Sequence, residues 1–300
     1  MSSGPRRSTI FGIFAVFALF GAGVVVSARM LMGDGVLPRG ARVAVVPLRG
    51  TIFEERDFIR TLDAFAADGG VRAFVIEIES PGGTVGASQS IFEAIRSLRD
   101  EGDRPVVAWI GDVGASGAYY AAMGADSVFA LPGAVTGSIG VIMEFPIAEE
   151  LYRKVGVSWE VVKSGEYKDT GSPSRALTDA DRAILGELVE DMHDQFVDAV
   201  AQNRPLERAA IEALADGRVF SGRQAAELRL IDGLGTLEVA VAAAGRMAGL
   251  GERPSVQRPR EPRRGLWELL LGVTSAEARG LLTTLMPMHS GTPRLLYEWK

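Results

Sequence analysis

The chain has 300 residues and a mass of 32.0 kDa, enough for a sizeable core and too long for a scaffold that needs staples. It contains no cysteine, which excludes disulfides, thiolate nucleophiles and cysteine-bound metal. Its two histidines, His193 and His289, exclude a histidine-rich metal site, and a net charge of -6 argues against a general nucleic-acid binder.

Ser8 to Ala28 carry no charged side chain. As a helix at about 1.5 Å per residue, this run would span roughly 32 Å, enough for the hydrocarbon core of a bilayer. The run is longer than the apolar region of a cleaved signal peptide, and Val26-Ser27-Ala28 is a poor exit site. A retained anchor over residues 1–29 is therefore expected. Arg6 and Arg7 favour a cytoplasmic N-terminus, with the bulk of the chain on the other side of the membrane.

After a Gly/Pro-rich connection at residues 30–41, the body over residues 42–250 alternates strand and helix patterns. Val43 to Val46, Ala73 to Ile78 and Val106 to Ile110 are short apolar runs rich in β-branched residues, as buried parallel strands are. Ser127 to Ala130 and Trp159 to Val162 are read as two further strands. Between them, Ile91, Ala94, Ile95 and Leu98 share one helical face. Leu177 to Ala201 is the longest helical pattern, with Ile184, Leu188, Met192 and Phe196 spaced by four. Ile211 to Leu214 and Leu237 to Ala248 look like closing helices. Strand, helix, strand repeated in this way predicts one α/β body with a parallel sheet and flanking helices.

The character changes near the end. Arg253 to Arg264 hold five Arg and three Pro, which reads as a linker or basic surface patch over residues 251–264 and not as a core element. Residues 265–300 form a largely apolar extension. Glu268, Glu277 and Arg279 interrupt it, so it is read as a docked helix or a membrane-surface element, not a span.

Three glycine-rich turns fall at successive strand ends: Ser80-Pro81-Gly82-Gly83, Gly114 to Tyr120, and Thr136-Gly137-Ser138-Ile139-Gly140. Strand ends of open α/β sheets are where ligands bind. None of the three matches a phosphate-binding loop or a Gly-x-Ser-x-Gly elbow. Ser116 stands out. A helix can begin directly after it, and the unpaired amides of such a start favour an oxyanion. The amide of Gly117 would be one donor and that of Gly82 or Gly83 the second. A serine hydroxyl is a poor nucleophile without a base. Lys168, in a non-helical stretch from Lys163 to Pro173, is one candidate base, with Lys163 and His193 as alternatives. A lysine serves only where burial lowers its pKa from about 10.4. His193, flanked by acids within a long helix, reads as an exposed helical residue.

Taken together, Ser80 to Gly83, Gly114 to Tyr120, Thr136 to Ile142, Gly165 to Asp169, Asp216 to Gly222 and Leu230 to Gly235 resemble the S49 family of membrane-anchored serine–lysine peptidases, the signal peptide peptidase A family, in its short single-domain form. The resemblance covers roughly Val43 to Gly245. It implies a ClpP/crotonase-like core, Ser116 as nucleophile, Lys168 as general base, Gly83 and Gly117 at the oxyanion hole, and Ser138 as a residue that orients the lysine. It further implies cleavage of remnant signal peptides at the inner membrane, no cofactor or metal, and a homo-oligomer in which neighbouring subunits complete each active site. Two other readings share the fold: an enzyme acting on acyl-coenzyme A, which would not need Ser116 with Lys168, and a non-catalytic membrane scaffold.

Overall fold

A computed structural model describes residues 40–260 and 295–298. Strand β1 (Arg42–Arg49) leads through helix α1 (Arg56–Ala66) to β2 (Val71–Ser80), short β3 (Gly82–Thr84) and α2 (Val85–Asp100). Next come β4 (Val106–Ala115), α3 (Gly117–Ala122), β5 (Ser127–Ala130), β6 (Val135–Gly137) and β7 (Ile142–Met143). Helices α4 (Glu149–Lys154), α5 (Asp179–Asn203) and α6 (Arg208–Glu212) precede β8 (Val219–Ser221) and α7 (Gly222–Glu227). The remaining elements are β9 (Gly233–Leu234), α8 (Leu237–Met247), β10 (Ser255–Gln257) and β11 (Leu295–Glu298).

The fold is mixed α/β around a mostly parallel sheet in the order β10-β1-β2-β4-β5-β9. Its central strands are apolar at nearly every position because both faces are covered. Ala44, Val46, Phe74, Ile76, Val106 and Ala108 join a large core that includes α1, α2, α3 and part of α5. The alternate positions Val43, Val45, Ala73, Val75, Val107 and Trp109 meet α8 through Ala240 and Ala244. Burial on both faces removes the polar alternation of a half-exposed strand. Strand β6 pairs parallel with β4 beyond the end of β5, and antiparallel with β8.

The described structure corrects four sequence expectations. Trp159 to Val162 form no strand; the stretch is exposed, with Val162 at 95% and Trp159 at 61%. β-branched composition is a weak signal where no neighbouring strand offers a ladder. The residues after Arg253 are more than a linker: β10 extends the sheet beside β1, and Arg258 donates to Glu77 at 2.8 Å. The long helix is present, but only its C-terminal half is core. Phe196, Val197 and Val200 are buried, while Ile184 and Leu188 are exposed. His193 is half-buried, its Nε2 lying 2.7 Å from the carbonyl oxygen of Ala215, where it ties α5 to the turn after α6. Helix α1, with Phe58, Leu62 and Phe65 on its buried face, was not anticipated.

The expected anchor at residues 1–29 and most of the apolar extension at 265–300 lie outside the described residues. Among the described residues, no helix is long and apolar enough to cross a membrane.

Candidate active site

Ser116 stands between the end of β4 and the first residue of α3, with φ 53° and ψ -120°. A non-glycine residue in so sparse a region costs about 1–3 kcal/mol and persists only where its surroundings over-determine it. They do so here. The Ser116 amide donates to the Gly137 carbonyl at 2.8 Å, and its own carbonyl accepts from the Tyr120 amide at 2.8 Å, closing the first turn of α3. Ala115 and Gly137 are paired in register. Ser116 is 2% exposed. The amides at the start of α3, beginning with Gly117, have no partner within the helix by construction.

Ser138 follows Gly137 and is also in the left-handed region, at φ 52°. Its amide donates to the Arg218 carbonyl at 2.9 Å, which places the Asp216 to Gly222 segment behind the site. The Thr136 hydroxyl donates to the Gly114 carbonyl at 2.8 Å. β4 and β6 are thereby locked together on either side of Ser116.

Gly83 lies in β3, which packs against α3. Ile52 clamps one edge of β3: its amide donates to Gly82 O at 2.8 Å, and its carbonyl accepts from the Thr84 amide at 2.8 Å. A Cβ on Gly83 would lie 2.0 Å from that carbonyl oxygen, so glycine is required there. The other edge of β3 carries β11 in antiparallel register, Tyr297 opposite Gly83 and Glu298 opposite Gly82. The far edge of β11 pairs with β7. An extended segment of this chain therefore runs between β3 and β7, beside α3.

Glu79 was not singled out from the sequence. Its carboxylate accepts the amides of Asp112 at 3.0 Å and Val113 at 3.4 Å. These residues lie where the pairing of β2 with β4 shifts register, just before Gly114. A Cβ at Gly111 would sit 1.7 Å from Glu79 Oε1. Glu79 thus shapes the backbone that leads into Ser116. The only sequence trace of this role is an acid at the end of an apolar strand.

The structure thus brings Ser116, Gly117, Ser138 and Gly83 together at one end of the sheet. Lys168 lies on a different segment, a run of turns from Ser164 to Ser172, and is exposed. Among the described residues its ammonium meets no hydrogen-bond acceptor or carboxylate. Lys163 is not equivalent. Its Nζ is held by the Glu166 carbonyl at 2.7 Å and by Asp169 Oδ1 at 2.7 Å, as a solvated ion pair would be. The Asp169 carboxyl is held well below the usual carboxylate range, first by its hydrogen bonds to Arg175 and then by Lys163.

Behind α3, the Tyr119 hydroxyl donates to the Leu230 carbonyl at 2.6 Å, and burial pushes its phenol far above the ordinary value. Asp232 accepts from the Val128 amide and from Arg204, both at 2.7 Å. The Leu230 to Gly235 motif is therefore scaffolding that seats α3 and β5.

The model of peptidase family S49 matches residues 99–251. The chain is 41% identical over 216 residues to a Synechocystis sp. protein that carries a protease designation, covering 72% of each. It is 32% identical over 68% of its length to the chloroplastic serine protease SPPA of Arabidopsis thaliana, and 30% identical over 80% to protease 4 of Haemophilus influenzae. It spans 30% and 42% of those two longer proteins, respectively. On the extent of these matches, the chain belongs to peptidase family S49.

Proposed function

We propose that the chain is a serine endopeptidase in which Ser116 is the nucleophile and Lys168, reaching the site of a neighbouring subunit, is the general base. The backbone of Ser116 carries this reading: a buried serine in a strained hinge, aimed by two hydrogen bonds, at the mouth of a helix. Neutral Lys168 takes the Ser116 proton as the oxygen attacks a peptide carbonyl. The amides of Gly83 and Gly117 stabilise the oxyanion. The lysine then protonates the leaving amine and activates the water that releases the acyl-enzyme. Ser138 orients the ammonium. The parallel sheet with helices on both faces agrees with a ClpP/crotonase-like core.

The substrate is an extended, apolar peptide of the kind left by signal-peptide removal. The run of β11 between β3 and β7 supports this, because it is the strand-addition geometry by which such a peptide is held. Completion of the site by a second copy is supported by the exposure of Lys168 and of apolar Leu151, Val155 and Trp159 on the stretch before it. A lysine base needs burial to lose its charge near neutral pH, and a partner surface supplies it. Residues 8–28 anchor the enzyme in the inner membrane, with the catalytic domain outside the cytoplasm.

The test is hydrolysis of an apolar signal-peptide-like substrate by the full chain, S116A and K168A, alongside labelling with a fluorophosphonate. Activity and labelling in the wild type, both lost in S116A, with K168A folded but inactive, is the expected result. Full activity in K168A removes the lysine. Full activity in S116A removes the nucleophile.

A further inference from the structure

Lys168 is followed directly by two residues held by side-chain hydrogen bonds. Asp169 receives a two-pronged contact from Arg175: Nε donates to Oδ2 at 3.0 Å and Nη2 to Oδ1 at 2.9 Å. The same guanidinium donates through Nη1 to Asp181 Oδ2 at 2.6 Å, and through Nη2 to Asp181 Oδ1 at 3.3 Å. The Thr170 hydroxyl also donates to Asp181. Asp181 belongs to the first turn of α5 and closes a capping box with Thr178. One planar cation therefore couples the residue after Lys168 to the start of a 25-residue helix. The fork geometry fixes orientation as well as distance, which a flexible ammonium would not do. Asp169 and Asp181 side chains are 13% and 2% exposed, so water competes weakly for these contacts.

We propose that Arg175 is a positioning residue for the catalytic lysine, holding the 164–172 turns against α5 through Asp169 so that Lys168 is presented at a fixed place. The proposal rests on Lys168 acting as the base. A network serving only to fold the loop would affect the amount of folded enzyme. It would leave kcat of the enzyme that does fold unchanged, including in R175K, where the charge is kept.

The experiment compares wild type, R175M, R175K, D169N and K168A as full-length protein. It measures kcat and KM against pH, with circular dichroism and melting as the check on folding. Loss of orientation in R175M should lower kcat by about 10- to 100-fold, with KM within about twofold. Removing a cation beside two carboxylates favours the charged lysine, so the rising limb of kcat/KM should move to higher pH. R175K keeps the charge without the fork. Its limb should stay near wild type while kcat recovers in part. D169N removes an anion next to Lys168. It should also lower kcat, but its limb should move to lower pH. The other charged groups on this loop and the elements packed against it, Lys163, Glu166, Asp181, Arg182, Glu144, Glu149 and Glu150, are common to all variants.

Opposite limb shifts in R175M and D169N support the proposal. A folded R175M with wild-type kcat and limb overturns it, as do reduced amplitudes with unmoved limbs in both variants. If R175M does not fold, R175K decides by its kcat, lowered under the proposal and wild-type against it, together with the limb of D169N. An active K168A would instead overturn the base assignment, whereas an inactive K168A beside a wild-type-like R175M overturns the positioning role alone.

Discussion

The amide of Ser116 donates to the carbonyl of Gly137 at 2.8 Å, which makes the strained hinge of one glycine-rich turn the hydrogen-bond partner of another. Ser138 is the next residue, so this one hydrogen bond ties the backbone of Ser116 to that of Ser138. Gly137 has φ +77°, and a Cβ there would lie 2.6 Å from the Phe220 ring. An L-residue in that region costs about 1–2 kcal/mol before any clash. Gly137→Ala should therefore lower the melting temperature. It should also slow fluorophosphonate labelling of Ser116 more than loss of folded protein explains. Labelling at the wild-type rate in the folded variant would show that the coupling does not set the reactivity of Ser116.

Gly83→Ala should be the more damaging substitution. Its Cβ would meet a backbone oxygen at 2.0 Å, not the end of a side chain that can swing away. Strand β3 would have to leave Ile52, taking a proposed oxyanion donor with it. Overpacking of this kind typically costs about 1–3 kcal/mol. Losing one oxyanion donor costs about 10²–10³ in kcat. Folded G83A should thus show KM little changed and kcat down by at least two orders of magnitude. Titration of folded protein by melting, with kcat and KM on the same sample, checks it. A kcat near wild type would remove Gly83 from the oxyanion hole.

Strand β11 sits where a peptide substrate is proposed to bind, so the two should compete. A tethered segment acts at an effective concentration of about millimolar. Deleting residues 295–300 should lower KM for an apolar peptide several-fold and leave kcat unchanged, because no residue placed in the chemistry is removed. Initial rates over a range of peptide concentrations measure this. An unchanged KM would mean that peptide binds elsewhere.

The strands of the sheet centre were legible because burial on both faces writes itself as uninterrupted Val, Ile and Ala, as in Val43 to Val46 and Ala73 to Ile78. The helix starting at Gly117 was legible from small residues after Ser116. The strain at Ser116 and Ser138 was not, since positive φ at serine leaves no compositional mark. Glu79 was missed because its partners are backbone amides across a register shift, which only the fold creates. Helix α1 was missed because Arg56, Arg60 and Asp63 break an apolar pattern that has only three buried positions. β10 was hidden by the Arg and Pro around it, since a three-residue edge strand needs little β-forming composition. Trp159 to Val162 were misread for the opposite reason: their composition suits a strand, but nothing in the fold pairs with them.

The ion network behind Lys168 also sets a direction for acid stability. Asp169 and Asp181 are both held well below the ordinary carboxylate value, chiefly by hydrogen bonds from Arg175. Asp216 is lowered in the same way, to about 2, by Arg218. For such groups the folded pKa lies below the unfolded value of about 3.9, so their stabilisation is complete above that pH. It is lost progressively as pH falls toward the folded values, because the unfolded chain then takes up protons that the folded chain refuses. The melting temperature should therefore hold steady from pH 7 to about 5 and fall steeply between about 5 and 2. D181N cannot gain that proton and also lacks one acceptor of the capping box. It should melt lower at pH 7, yet lose less on acidification, so that the wild-type and variant curves converge toward pH 2. Melting followed at pH 7, 5, 4, 3 and 2 for both proteins measures it. Parallel curves across that range would show that the Arg175 network contributes nothing to the difference in proton binding between folded and unfolded chain.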